Sequence, residues 1–314
     1  MITILIKDRI DRFLVEELKE RNFIVRDYPG KPDTLLQEVR ENEILIVRSA
    51  TKVTKEVIDT AAETGVLRLI IRAGVGMDNI DVDYAKKKGI IAVNTPEASS
   101  SAVAELVLAH MFTLARRIIP ANLTMREKKW AKKLCEGIEL SGKILGIVGM
   151  GRIGQSLAQK ASVLGMGIIY TDIMGPVNNN PEWKFATLAE VLEKADIISL
   201  HVPASENGSY LIDEPELKKM KRNAFLINTA RGNLVNEKAL LNALDKDEIA
   251  GAGIDVYIHE PCDNFELIQH EKISVTPHVG GSTKEAQYRI GQQILNIIEE
   301  YYNNKKLSRE GING

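Results

Sequence analysis

The chain is poor in the residues that staple or ligate. It has two cysteines, Cys135 and Cys262, and five histidines among 314 residues. Neither thiol has metal-type spacing, so nothing points to a zinc or other metal site, and isolated thiols fit a reducing, cytoplasmic setting. Charge of one sign is lacking too: 41 Lys and Arg stand against 43 Asp and Glu, interspersed, for a net −2. No global field then favours nucleic acid or a membrane surface, and anion binding must be local. Long apolar runs are absent, which excludes a bilayer span. Met1-Ile2-Thr3-Ile4-Leu5-Ile6-Lys7 reads as a strand with no cleavage site.

What is present is a glycine fingerprint. The apolar run Lys143–Val148 leads into Gly149-Met150-Gly151-Arg152-Ile153-Gly154 and then into an amphipathic segment, Ile153 to Leu164. Gly149 allows the tight turn, Gly151 lets backbone approach a pyrophosphate, and Gly154 lets the helix pack close. The phosphates would sit on the helix N-terminus. A G-x-G-x-x-G alone is weak, but a strand follows at Gly167–Thr171, and Asp172 ends it, eighteen positions after Gly154. A carboxylate there accepts from both ribose hydroxyls and repels a 2′-phosphate, and Ile173 and Met174 supply no cation, so NAD is expected rather than NADP. The competing reading, that Asp172 only caps a turn, leaves the rest of the series unexplained.

The length suits two domains. Apolar strands at Ile2–Lys7, Phe23–Tyr28, Ile44–Ser49, Leu67–Arg72 and Ile90–Val93 alternate with helical spacing at Asp11–Arg21, Lys31–Arg40, Thr54–Thr64 and Asp81–Lys88, which implies a parallel sheet. Ser99–Arg117 reads as a long helix between domains. The fingerprint unit continues through strands at Ile197–His201, Ala224–Asn228, Gly253–Asp255 and Ile273–Thr276, with helices such as Thr187–Lys194 and Glu237–Leu244. A last helix is expected over Lys284–Lys306. The fold expected is α/β with two doubly wound parallel-sheet domains: residues 98–285 form a Rossmann domain inserted into a flavodoxin-like substrate domain of residues 1–97 and 286–314.

Three strand-end motifs carry candidate chemistry: Asn228-Thr229-Ala230-Arg231-Gly232, Asp255-Val256-Tyr257-Ile258-His259-Glu260-Pro261 and Thr276-Pro277-His278-Val279-Gly280-Gly281. Residues beyond the carboxyl ends of such strands meet at the ligand crevice, so Arg231, Glu260 and His278 can converge on one substrate. Carbonyl reduction needs an acid for the new alkoxide, and imidazole suits it near working pH. Glu260 would hold His278 and favour its charged form. The planar fork of Arg231 would clamp a substrate carboxylate, and Asp255 is expected beside the nicotinamide carboxamide. Individually each residue reads as ordinary loop chemistry; the combination favours catalysis. His110, His201, His259 and His270 read as structural, with the backbone of His201-Val202-Pro203 near adenosine.

Over nearly its whole length the sequence resembles the D-isomer-specific 2-hydroxyacid dehydrogenases, in the fingerprint with Arg152-Ile153, Asp172, His201-Val202-Pro203, Arg231, the Asp255 to Pro261 segment and Pro277-His278. Val47–Thr54, Arg72–Asn79 and His278–Ala286 are most like the members that act on 3-phosphoglycerate. The resemblance implies NAD-dependent oxidation of D-3-phosphoglycerate to 3-phosphohydroxypyruvate, the first step of serine synthesis, with Arg231, Glu260 and His278 as the triad and a homodimer built on the cofactor domains. It also implies cofactor contacts at Val75, Thr229, Ala230, Gly280 and Gly281. A substrate phosphate calls for cations, Arg48 first. Lys132 stands where similar dehydrogenases carry Arg, with reach toward a neighbouring subunit, and reads equally as a solvated helix end. Amides at Gly74, Val75 and Gly76 would nest the carboxylate.

Some features depart from the pattern. Asn94–Ser99 lacks a Gly-Asn pair, Asn236 stands where Asp is common, and the end at Gly314 leads to the expectation of no serine-binding regulatory module. A second reading makes the substrate glyoxylate, hydroxypyruvate or another unphosphorylated 2-oxo acid. A third makes the chain an NAD-sensing binding protein, as in corepressors similar to this family.

Overall fold

The computed structural model describes residues 2–29, 34–177, 180–205 and 207–310. The chain divides into two compact units, Met1–Ser99 with Gly281–Gly314, and Ser100–Gly280. The return falls between Gly280 and Gly281, five residues ahead of the expected 286. There the glycine pair turns the chain, and Thr283 Oγ1 then accepts from the N–H of Ala286 at 3.1 Å to start the last helix.

In the first unit the order is β1 (Thr3–Ile6), α1 (Arg12–Glu20), β2 (Ile24–Asp27), α2 (Leu35–Glu38), β3 (Ile44–Val47), α3 (Lys55–Thr64), β4 (Leu69–Arg72), α4 (Val82–Lys87) and β5 (Ile91–Asn94). The strands form one parallel sheet in the order β2-β1-β3-β4-β5, the flavodoxin-like order. Alternate strand residues point to opposite faces. Ile4, Ile6, Ile44 and Ile46 pack with Leu14 and Leu18 of α1 and with Ile290, Ile294 and Ile298 of the closing helix, Lys284–Glu310. Leu5, Leu45, Val47 and Ile70 pack on the other face with Val57, Ile58 and Ala61 of α3. Burial on both faces explains why these strands read as continuous apolar runs. The expected helix start at Lys31 lies outside the described residues, and α2 is shorter than its expected span.

The second unit opens with α5 (Ser100–Ala115) and α6 (Ile118–Arg126). It continues through β6 (Ile144–Val148), α7 (Arg152–Val163), β7 (Gly167–Thr171), β8 (Lys184–Phe185), α8 (Leu188–Lys194), β9 (Ile197–Leu200), α9 (Glu214–Leu217), β10 (Phe225–Asn228), α10 (Glu237–Asp245), β11 (Gly251–Ile254), α11 (Phe265–Gln269) and β12 (Ile273–Val275). All seven strands are parallel, in the order β12-β11-β10-β9-β6-β7-β8. Leu145 and Ile147 pack under α5 and α7 with Val107, Met111, Leu157 and Ala161, while Ile198, Leu200, Leu226 and Ile254 pack under α8 and α10. The chain order reverses between β9 and β6, which puts a switch point next to the glycine turn. The closing helix, Lys284–Glu310, is α12. Sequence pattern does not announce α6, because Pro120 falls in its first turn and none of its residues is buried.

Candidate active site

The turn after β6 is built from glycine. Gly149 has φ +97°, and a Cβ there would lie 2.8 Å from the carbonyl of His201. A Cβ on Gly154 would overlap the carbonyl oxygen of Gly149. These two positions lock the strand-to-helix turn. Gly151 differs: a Cβ would meet nothing within 4 Å, and as the cap of α7 it makes no side-chain cap bond. An open, positive helix end with nothing crowding it fits a pyrophosphate.

Asp172 directly follows β7. Its Oδ2 accepts from the Met150 N–H at 2.7 Å, inside the fingerprint, and its Oδ1 accepts from the Met174 N–H at 2.8 Å. It therefore does cap a turn, and each oxygen keeps lone-pair capacity for a ribose hydroxyl. Ile173 and Met174 are 99% and 88% exposed, so the neighbouring side chains offer a 2′-phosphate no cation. His201 Nε2 is 2.9 Å from Ser199 Oγ, and desolvation pushes the imidazole down to about 4, so the ring is neutral. At the end of β10, Thr229 Oγ1 is buried with no hydrogen-bond partner among the described residues. A buried hydroxyl left this way lacks the bond a ligand would supply. The glycine cradle, Asp172 and this orphan hydroxyl all fit a dinucleotide.

Arg231, Glu260 and His278 come from the ends of three adjacent strands. Asn228 pins the first loop: its Nδ2 donates to the Arg231 carbonyl at 2.8 Å, and its Oδ1 accepts from the Ala230 N–H at 3.1 Å. A Cβ on Gly232 would overlap the Tyr257 carbonyl, so glycine is what lets the Arg231 turn abut the Tyr257–Glu260 loop. Within that loop the Tyr257 N–H donates to Glu260 Oε1 at 3.2 Å, and Glu260 Oε2 meets His278 Nδ1 at 2.7 Å. An ionised carboxylate only accepts, so Nδ1 carries the proton and Nε2 lies outside this pair.

Asp255, expected beside the nicotinamide carboxamide, stands one residue past β11. It is fully buried, and its oxygens accept from Thr276 Oγ1 at 2.5 Å, from the Val279 N–H at 2.8 Å and from the Gly280 N–H at 2.9 Å. These bonds pin the loop that carries His278. That loop needs pinning, since His278 has φ +52° in the left-handed region that L side chains avoid. Tyr257 adds a second hold, its hydroxyl donating to the Thr276 carbonyl at 2.8 Å while burial pushes its pKa up to about 12.

The remaining expected residues fall elsewhere. Arg48, Gly74, Val75, Gly76 and Gly281 belong to the first unit. The Gly74 N–H donates to Thr95 Oγ1 at 2.7 Å. Lys132 lies exposed in a 3₁₀ turn, Lys132–Cys135. Among the described residues no His, Cys, Asp and Glu cluster could hold a metal, and no helix is long and apolar enough to cross a membrane.

Comparison with known proteins agrees with this geometry. Residues 108–280 match the D-isomer specific 2-hydroxyacid dehydrogenase, NAD binding domain. A hydroxypyruvate reductase of Thermotoga maritima is 39% identical over 93% of this chain and 96% of its own length. A D-3-phosphoglycerate dehydrogenase of Methanocaldococcus jannaschii is 38% identical over 96% of this chain, which spans only 57% of that relative. The structure of Aquifex aeolicus D-lactate dehydrogenase with NAD and lactic acid superposes with a TM-score of 0.85 at 26% identity, covering 98% of each chain. The chain belongs to the D-isomer specific 2-hydroxyacid dehydrogenase family, and its cofactor is NAD.

Proposed function

We propose that the chain oxidises D-3-phosphoglycerate to 3-phosphohydroxypyruvate, the step that opens serine synthesis. The observation that carries the phosphorylated substrate is a pocket of about 430 Å³ in which Arg48 is joined by Arg9, Arg12 and Lys284, with Asp11 as the opposing charge. The Asp11 carboxylate is already occupied in accepting from the Phe13 N–H at 2.9 Å. Arg12 is ion-paired with Glu16 at 2.8 Å, so the positive charge beside Arg48 that suits a phosphate dianion is that of Arg9 and Lys284. The 38% identical phosphoglycerate dehydrogenase supports the same reading.

In this reading Arg231 holds the substrate carboxylate, with the amides of Val75 and Gly76 as further donors and Lys132 as a further cation. His278 Nε2 takes the proton of the C2 hydroxyl during oxidation and returns it during reduction, and Glu260 stabilises the imidazolium between the two. When bound, NAD supplies the acceptor for the hydride that leaves C2. The cofactor is held by the amides at Gly149–Gly154, Asp172, the His201–Pro203 backbone, Thr229, Ala230, Gly280 and Gly281. We further assign a homodimer built on the cofactor domain and a cytoplasmic setting. In support of the dimer, α6 exposes Ile118, Leu123 and Met125, and Trp130 just beyond it is 81% exposed.

A second reading, reduction of hydroxypyruvate, draws on the 39% identical reductase that this chain covers almost completely. NADH oxidation at saturating cofactor, comparing 3-phosphohydroxypyruvate, hydroxypyruvate and glyoxylate by kcat/KM, separates the two. A large preference for the phosphorylated acid supports the first reading, and Arg48→Ala then lowers that preference. A preference for either small acid overturns it. Tight NADH binding with no turnover on any of the three would favour a nucleotide-sensing protein.

A further inference from the structure

We propose that His110, in the middle of α5, is a positioning residue for the reaction: through Thr276 it orients the Asp255 carboxylate, and Asp255 fixes the backbone that carries His278. The inference needs family chemistry at His278 and is independent of which 2-hydroxy acid is used.

His110 is 2% exposed, and both ring nitrogens are engaged. Nδ1 is 2.9 Å from Ser274 Oγ on β12, and Nε2 is 3.2 Å from Thr276 Oγ1. The direction of these bonds follows from one fact: the ionised Asp255 carboxylate only accepts. Thr276 therefore spends its single hydroxyl proton on Asp255 Oδ1 and must accept from the ring. Nε2 then carries hydrogen, Nδ1 accepts from Ser274, and the series runs one way from Ser274 to His110 to Thr276 to Asp255. From there the N–H groups of Val279 and Gly280 complete the carboxylate's shell.

A threonine hydroxyl can rotate among several acceptors. The ring N–H, by occupying one Thr276 lone pair, leaves the proton its productive direction toward Asp255. A ring that stays neutral suits this role. Desolvation lowers the His110 pKa, opposed more weakly by the charge of Asp255. The neighbouring strand is shaped for the imidazole as well: a Cβ on Gly253 would lie 2.8 Å from the Cβ and 3.0 Å from the Cγ of His110. An apolar side chain would fill the space without demanding two partners, whereas a buried polar series is favourable only when fully satisfied. This one is satisfied at each nitrogen.

The test begins with the intact wild-type protein and needs no turnover. In ¹⁵N-histidine NMR at pH 7, His110 is expected as the neutral Nε2–H tautomer. An Nδ1–H tautomer or an imidazolium overturns the proposal. His110→Leu and Thr276→Val, each confirmed folded by thermal melting, should lower kcat about tenfold, and the double variant should also lose about tenfold rather than about a hundredfold, since the two act in one series. KM for NADH should move less than about twofold, because the cradle is untouched. The assay substrate is 3-phosphohydroxypyruvate or hydroxypyruvate, whichever turns over faster. His110→Gln, which keeps an N–H donor, should return kcat to within about threefold of wild type. Wild-type kcat in folded His110→Leu, multiplicative losses, or a Gln variant as slow as the Leu variant would each overturn the positioning role.

Discussion

Nδ1 of His278 lies 2.7 Å from Oε2 of Glu260, on a backbone held at φ +52°. Left-handed backbone at a side-chain-bearing residue costs about 1–3 kcal/mol, a cost found where a side chain must be aimed. Here it aims an imidazole whose Nδ1–H is fixed by a carboxylate and whose Nε2 exchanges the proton in the proposed reaction. His278→Ala should lower kcat by about 10²–10⁴, the usual worth of a positioned acid–base group. Fluorescence titration of NADH should be nearly unaffected, and unchanged turnover would remove His278 from the reaction.

The Asp255 carboxylate accepts three hydrogen bonds in a fully buried setting, so its loss is structural as well as catalytic. Asp255→Ala leaves the N–H groups of Val279 and Gly280 without their partner, at about 1–3 kcal/mol for each stranded donor. Chemical denaturation should show a loss of roughly 2–5 kcal/mol, with kcat reduced along with it. If Asp255→Ala keeps wild-type stability and only weakens NADH binding, the residue belongs to the cofactor after all.

How far the site was legible follows from how local its signals are. Gly149, Gly151, Gly154 and Asp172 stand close in sequence, and strand, turn and helix can be read around them. Arg231, Glu260 and His278 were findable because each follows an apolar strand of a parallel sheet. His110 was not: it is a lone histidine on a buried helix, and Ser274 and Thr276 lie 164 and 166 residues further along the chain. The hydrogen bonds of Asp255 are hidden for a related reason. A strand-end acid reads as a ligand, and the backbone N–H groups that satisfy it have no signature in side-chain sequence. Likewise β8, two residues long, and α6, with no buried face, lack the periodicity that announces an element.

The glycines of the fingerprint should separate by what surrounds them. A Cβ on Gly151 meets open space, so Gly151→Ala should leave the melting temperature nearly unchanged while weakening NADH, because the methyl takes the room a pyrophosphate needs. Gly154→Ala overlaps the carbonyl of Gly149 and should lower the melting temperature as well. Equal melting losses in the two variants would contradict an open cradle at Gly151.

Asp172 binds Met150 and Met174 through their amides and has capacity left for ribose. Asp172→Ala should weaken NADH by about 1.5–3 kcal/mol, the worth of a hydrogen bond to a charged group. Pairing Asp172→Ser with Ile173→Arg removes the repulsion and supplies a cation, so NADPH affinity should rise relative to NADH. Direct titration of both nucleotides checks this, and a ratio that does not move would leave discrimination to other residues.

His201 gives the sharpest pH prediction, because desolvation pushes it down to about 4 from the ordinary 6.5. Between those values the unfolded chain binds a proton that the folded chain refuses. Stability contributed by the neutral, Ser199-bonded ring is therefore full above pH 6.5 and is lost as pH falls toward about 4. At about 1.36 kcal/mol for each pKa unit, the change over that window is up to about 3 kcal/mol. Urea midpoints measured from pH 7.5 down to 4 should fall accordingly in the wild type. In His201→Asn the fall should be shallower, since asparagine has no proton to take up. Parallel curves for the two proteins would mean that the acid sensitivity of this unit resides in other groups, with His110 the next to substitute, because burial shifts that ring in the same direction.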